Sequence, residues 1–191
     1  MIFSFYVVPL AVLWLSWLAY WLVAARNVKA TKRREPAATF LLNRVFVAVG
    51  VLLLLFPHLP LHWLEQRFIA PSITAYAIGL AMVAAGLGFS VWARVYLGRN
   101  WSATVTVKQD HELIRSGPYG LVRHPIYSGL LFALLGTAIA IGEWRGLMAF
   151  AAIAAGFLVK ISAEERFMQQ TFGEQYARYR REVAALIPFV V

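Results

Sequence analysis

Gly117-Pro118-Tyr119-Gly120-Leu121-Val122-Arg123-His124-Pro125-Ile126-Tyr127 leads directly into an apolar run that continues to residue 142. Two aromatic hydroxyls, an Arg and a His are thus set against the first turn of a hydrophobic segment. Polar groups that close to hydrocarbon are expensive unless they bind something. The next apolar run, residues 147–162, carries Lys160 and is followed by Glu164, Glu165 and Arg166. Two polar clusters therefore bracket one pair of membrane helices, a pattern that points to a buried site at the membrane–water boundary.

The rest of the chain supports a membrane reading. Of 191 residues, 61% are hydrophobic, against about 45–50% in soluble domains, and the mean hydropathy is +0.66. Apolar runs over residues 2–25, 40–64, 71–97, 126–142 and 147–162 predict about five transmembrane helices in an all-α integral membrane protein. The last two form a C-terminal helical hairpin joined by residues 143–146. The tail from residue 172 reads as a short amphipathic helix with an exit at Pro188. Pro57 and Pro60 break the second run near one face.

Charge alternates from loop to loop. Residues 26–34 carry Arg26, Lys29, Lys32, Arg33 and Arg34, whereas 65–70 and 143–146 each balance one acid against one base. Cytoplasmic loops collect Lys and Arg, which places the basic loops and the C-terminus in the cytoplasm of a multi-pass protein, with a bacterial inner membrane as the expected setting. The net charge of +9 has the same origin, and without a soluble module to present a basic patch, nucleic acid is not an expected partner. No obligate protein partner is evident; membrane lipids are the expected surroundings. Positive charge follows the first run, so it reads as an uncleaved helix rather than a signal peptide.

Small residues recur every four positions at Ala77, Ala81 and Ala85, at Gly86 and Ser90, and at Gly129, Ala133 and Thr137, a spacing that lets membrane helices approach closely. Ala152, Gly156, Lys160 and Glu164 continue the pattern on the fifth helix. That stripe turns Lys160 and Glu164 toward the bundle; the plain alternative is an i,i+4 ion pair at a helix exit. Glu165 and Arg166 beside it, with Arg123 and His124 on the neighbouring helix, favour a site. The absence of Cys excludes disulfides, thiolate metal sites and Cys nucleophiles. His58 and His62 have helical ligand spacing, but Pro60 lies between them and no carboxylate cluster joins them, so no metal site is expected. Phosphate loops and nucleophile elbows are missing as well. Residue chemistry by itself leads to a cytoplasm-facing polar pocket in a five-helix membrane protein.

The ordered set Gly98-Arg99-Asn100-Trp101-Ser102, His111-Glu112-Leu113-Ile114, Gly117-Pro118-Tyr119, Arg123-His124-Pro125-Ile126-Tyr127, Glu164-Glu165-Arg166, Phe172-Gly173-Glu174-Gln175-Tyr176 and Ile187-Pro188 resembles the isoprenylcysteine carboxyl methyltransferase family. Phospholipid N-methyltransferases are its more distant relatives. The resemblance implies an S-adenosylmethionine-dependent methyltransferase, with residues 71–191 as its core and residues 1–70 as an N-terminal two-span region. It places cofactor contacts on His111, Glu112, Leu113, Ile114, Tyr119, Arg123, His124, Pro125, Ile126, Tyr127 and Glu164. A substrate-contacting Arg of the family falls on Lys160, which keeps the charge without the planar fork. Lys160, Glu164 and Arg166 are the expected catalytic set, with Lys160 or Arg166 supplying a cation for a carboxyl acceptor. The implied acceptor is a lipophilic small molecule or lipid-modified group, methylated on a carboxylate oxygen. Two alternatives remain at this point: a membrane reductase similar to the sterol reductases, using a nicotinamide cofactor, and a non-catalytic membrane module.

Overall fold

The structure is a computed structural model that describes residues 2–26, 31–34, 37–56, 60–98, 101, 106–108 and 113–190. Among the described residues there are five apolar helices: α1 (Ile2–Ala24), α2 (Ala37–Leu55), α3 (Ile73–Leu97), α4 (Pro125–Ile141) and α5 (Trp144–Phe172). Four of them, α1, α2, α3 and α5, are long and apolar enough to cross a membrane, and α4 is a shorter apolar helix. A polar helix, α6 (Glu174–Glu182), follows α5 after Gly173.

Two short strands interrupt the helical order. β1 (Thr31–Arg34) pairs antiparallel with β2 (Thr106–Lys108). Both fall in stretches that the sequence reading treats as loops, because neither short polar run carries an alternating apolar pattern of its own. Their pairing joins the loop after α1 to the loop after α3, at the end of the bundle where α4 begins.

Packing between α3 and α4 depends on facing glycines. A Cβ on Gly86 would lie 2.7 Å from the Ala133 amide nitrogen, and one on Gly129 would lie 2.8 Å from that of Ser90. Gly79 and Gly136 repeat the arrangement one heptad away. Backbones this close exchange many dispersion contacts, the main source of helix association in lipid. Of the expected stripe, Gly129 and Ala133 meet α3 at Gly86 and Ser90, while the buried Thr137 accepts from Trp14 of α1. Ala77, Ala81 and Ala85, in contrast, are exposed. The small residues that α3 buries begin at Gly79, about 160° around the helix from Ala81 at 100° per residue.

The other helices lock on by polar contacts. Asn43 of α2 donates to the Gly156 carbonyl at 2.8 Å, and Arg145 of α5 donates to the Leu54 carbonyl at 2.9 Å, covering the end of α2. Trp14 and Trp17 of α1 donate to Thr137 at 3.1 Å and Ser90 at 2.8 Å. Trp17 stacks on Trp21, which meets Trp101 edge-on. Arg94, 4% exposed, donates to the Ala24 and Gly98 carbonyls and lies over the Trp101 ring. It thereby ties the last turn of α1 to the end of α3.

Helix boundaries differ from the sequence reading at the second span, at the α4–α5 connection and at the end of α5. The second span ends at Leu55 rather than near residue 64, and His62–Glu65 form a separate 3-10 turn. The α4–α5 connection is Gly142 and Glu143, shorter than residues 143–146. Gly142 takes φ +71, the left-handed cap that ends a helix within one residue. His58 lies outside the described residues. As α5 extends to Phe172, Lys160, Glu164, Glu165 and Arg166 are all helical, on the turns that leave the apolar segment.

Candidate active site

The site forms where α4 begins and the polar half of α5 passes beside it. Pro125 starts α4 with its fixed φ, which makes His124 the N-cap residue. The backbone amides of Arg123 and His124 donate to the carbonyls of Ala184 and Ala185 at 2.8 and 3.0 Å. Ser128 donates to the Leu186 carbonyl at 2.6 Å. The segment after α6 is thus strapped across the start of α4. Tyr179 of α6 donates to the Tyr119 carbonyl at 2.6 Å, and burial pushes the Tyr179 hydroxyl up to about 12, so it remains a donor at neutral pH.

His124 lies between two carboxylates. Its Nδ1 is 3.5 Å from Glu164 and its Nε2 is 3.3 Å from Glu165. A neutral imidazole has only one N–H and would point a lone pair at one of these oxygens. Burial alone would lower the His124 pKa, but hydrogen bonds and charge from Glu164 and Glu165 outweigh it and raise the pKa above the ordinary 6.5. The imidazolium form fits this geometry.

Glu164 also accepts from the Tyr127 hydroxyl at 2.7 Å. Tyr127 packs its ring on Phe157, and Lys160 Nζ lies 5.6 Å from the ring centroid. The structure therefore brings His124, Tyr127, Lys160 and Glu164 together. Pro125 and Ile126 are buried beneath them, and Tyr119 and Ile126 belong to one apolar cluster, against which Ile114 and Phe157 pack. Leu113 is half-buried at the entry to the same turn. His111 and Glu112 lie outside the described residues.

Arg123 is engaged with Glu165, and Arg166 stands on another face of α5. Arg123 donates to Glu165 through Nε at 2.9 Å and approaches it through Nη2 at 2.7 Å. Its Nη1 reaches the carbonyls of Arg180, at 3.1 Å, and Val183. These contacts engage every guanidinium nitrogen in holding α5 and the C-terminal strap together. Arg166 is exposed and lines a separate cleft with Glu165 and Arg180, away from Lys160 and Glu164. Sequence reasoning missed Arg94, Ser128 and the tryptophan face of α1. Of these, only Trp14, Trp17 and Trp21 carry a visible signal, their i, i+3, i+7 spacing.

Fold and site together define a polytopic membrane protein with a charged, partly buried side-chain cluster at one end of a helical hairpin. A family model described as phospholipid methyltransferase matches residues 74–175. Protein-S-isoprenylcysteine O-methyltransferase B of Arabidopsis thaliana is 31% identical over 138 residues, covering 71% of this chain and 65% of that protein. A probable protein-S-isoprenylcysteine O-methyltransferase of Oryza sativa subsp. indica is 34% identical over 140 residues, covering 72% and 68%. Among solved structures, the eukaryotic intramembrane Ras methyltransferase ICMT (isoprenylcysteine carboxyl methyltransferase) matches with a TM-score of 0.52 and 27% identity, over 82% of this chain and 54% of that one. The chain belongs to the isoprenylcysteine carboxyl methyltransferase family, within the wider phospholipid methyltransferase group. It is an integral membrane protein, and it spans about two thirds of the length of the curated relatives just named.

Proposed function

We propose that this chain is an S-adenosylmethionine-dependent methyltransferase acting on a lipid-like acceptor, at a carboxylate oxygen. The observation that carries the reading is the Tyr127–Glu164–His124 contact set, made across α4 and α5 inside the family-matched segment. The family match favours methyl transfer over the reductase and non-catalytic alternatives.

The residues present fit the donor. Among the described residues, His124 and Tyr127 each engage one oxygen of Glu164, while a carboxylate offers about four acceptor positions. Glu164 can therefore also receive the donor's ammonium group. Ile114, Ile126 and Phe157 supply apolar surface for its adenosine. When bound, the donor supplies an electrophilic methyl group on a cationic sulfur. The chain's task is then placement and exclusion of water rather than strong acid–base work. Lys160, one turn before Glu164, is placed to attract an acceptor carboxylate, and the membrane delivers acceptors with long apolar tails.

The test is calorimetric titration of the purified chain with S-adenosylhomocysteine, followed by transfer of labelled methyl to N-acetyl-S-farnesylcysteine. Binding and transfer are expected together. Binding of NADPH with no affinity for S-adenosylhomocysteine would overturn the reading. The orientation that goes with it puts the C-terminus in the cytoplasm, following the basic segments at that end. Reporter fusions at residues 34 and 190 should both read cytoplasmic, and an external signal at either would reverse it.

A further inference from the structure

Beside Glu165, α5 and α6 form an open polar cleft of about 390 Å³, lined by Ser162, Glu165, Arg166, Gln169, Gln170 and Arg180. Two arginines from different elements meet there. The single acid, Glu165, gives Oε1 to Arg123 and His124 and faces Arg180 only through Oε2, at 3.4 Å. The cleft is therefore net positive. Lys160 and Arg166 are six residues apart on α5, about 120° around the helix, which separates the cleft from the cluster around Tyr127 and Glu164.

The cleft continues a face of α5 that leads up from hydrocarbon. Leu158, Ser162 and Arg166 succeed one another at i, i+4 and i+8. Leu158 is 54% exposed, and Ser162 and Arg166 are also exposed. Ser162 returns its hydroxyl to the Leu158 carbonyl at 2.9 Å, so its polarity is met locally and the face stays compatible with an acyl chain. The exposed Leu158 side chain, one turn below Ser162 and two below Arg166 on a face that ends in two arginines and two amides, matches an acyl chain below a phosphodiester headgroup. Arginine binds such phosphates bidentately, and anionic lipid is presented permanently at this depth.

We propose that this cleft is a binding site for the phosphate headgroup of an anionic membrane phospholipid, distinct from the site of methyl transfer. The occupant is a bound neighbour of the protein rather than the acceptor, since Lys160 and Glu164 lie outside the cleft. Arg180 links the two regions, because it contacts Glu165, which in turn holds Arg123 and His124.

The test uses the purified full chain in neutral detergent. Binding of dioctanoyl phosphatidylglycerol, dioctanoyl phosphatidylcholine and inorganic phosphate is measured by calorimetry and native mass spectrometry. The anionic lipid should bind saturably and at least about tenfold more tightly than the zwitterionic one. Replacing both arginines (Arg166→Gln with Arg180→Gln) should remove most of that preference. The control Arg181→Gln, which lies outside the cleft, should stay within about threefold of wild type. Should the double variant fail to fold, Arg166→Gln alone carries the test, with a loss of about fivefold or more. Equal binding of the two lipids, or unchanged preference in the glutamine variants, would overturn the proposal. Inorganic phosphate binding as tightly as the anionic lipid would overturn the lipid assignment in favour of a free-anion site.

Discussion

The Tyr127 hydroxyl donates to Glu164 at 2.7 Å, across the interface between the first turn of α4 and the polar end of α5. This contact and the His124–Glu164 approach fix the carboxylate from two sides. Removing the hydroxyl as Tyr127→Phe deletes one hydrogen bond to a charged group, about 1.5–3 kcal/mol in general. Affinity for S-adenosylhomocysteine should fall about tenfold or more, and Glu164→Ala should do at least as much. Glu143→Ala breaks a 2.6 Å contact with Arg145 at the opposite end of the bundle and should leave affinity unchanged. Equal losses in calorimetry from Glu164→Ala and Glu143→Ala would show that Glu164 acts only through stability.

His124 makes stability depend on pH with a definite sign. Its folded pKa is raised above 6.5 because Glu164 and Glu165 favour the charged ring. The resulting stabilisation is complete below the unfolded value and is lost as pH rises through the folded one. Thermal midpoints in detergent should therefore decline as pH is raised above 6.5, the ordinary His value. His124→Gln, which cannot titrate, should flatten that decline and lower the midpoint most at acidic pH. A wild-type profile that rises over this range would contradict the ion-pair assignment.

Helix packing gives a paired test with opposite outcomes. A methyl group on Gly86 would meet backbone of α4, whereas one on Gly88 finds nothing within 4 Å. Backbone cannot yield as a flexible side chain can, so Gly86→Ala should cost about 1–3 kcal/mol. Gly88→Ala should be neutral or stabilise by roughly 0.5–1 kcal/mol through helix propensity. Thermal or denaturant unfolding of the two variants decides it, and similar effects from both would mean that α3 and α4 are not in register through Gly86.

What the sequence made visible follows from where the signals reside. Long apolar runs announce helices directly, and the proline after His124 announces a helix start, so the α4–α5 hairpin and the cluster of His124, Tyr127 and Glu164 were readable. A four-residue spacing marks a stripe but not the neighbour that covers it, which is why Ala77, Ala81 and Ala85 resembled a packing face as much as Gly86 and Ser90 did. The contacts of Arg123 with the backbone carbonyls of Arg180 and Val183 were not legible, because backbone acceptors leave no trace in residue identity. The same holds for Arg94, which serves the carbonyls of Ala24 and Gly98. The β1–β2 pair joins segments far apart in the chain, and neither strand is apolar enough to declare itself.

Because Arg123 ties Glu165 to the C-terminal strap, its loss should be felt as misplacement rather than as a lost ligand. Arg123→Ala leaves the Glu165 carboxylate, whose side chain is 14% exposed, with a weaker set of partners. Breaking a buried ion pair costs about 3–5 kcal/mol. The strap over α4 should loosen, seen as faster amide hydrogen exchange across residues 176–186. Affinity for S-adenosylhomocysteine should drop with it, and Arg123→Lys should restore only part of each, since an ammonium cannot serve Glu165 and two carbonyls in one plane. Lost affinity with unchanged exchange would instead make Arg123 a direct cofactor contact.

Lys160 separates acceptor chemistry from donor binding. It stands one turn before Glu164, with its ammonium 5.6 Å from the centroid of the Tyr127 ring. A cation there can stabilise an acceptor carboxylate, and its loss from a partly desolvated position would cost roughly 2–5 kcal/mol of acceptor interaction. Lys160→Ala should therefore cut methyl transfer to a lipid-like carboxylic acid by about thirtyfold or more. Affinity for S-adenosylhomocysteine should stay within about threefold, because Glu164 keeps Tyr127 and His124. Lys160→Arg should retain or improve activity on carboxylates, since the guanidinium adds bidentate geometry. Loss of donor affinity and activity together in Lys160→Ala would move Lys160 into the donor pocket. Loss of neither would reduce it to a helix-end charge beside Glu164.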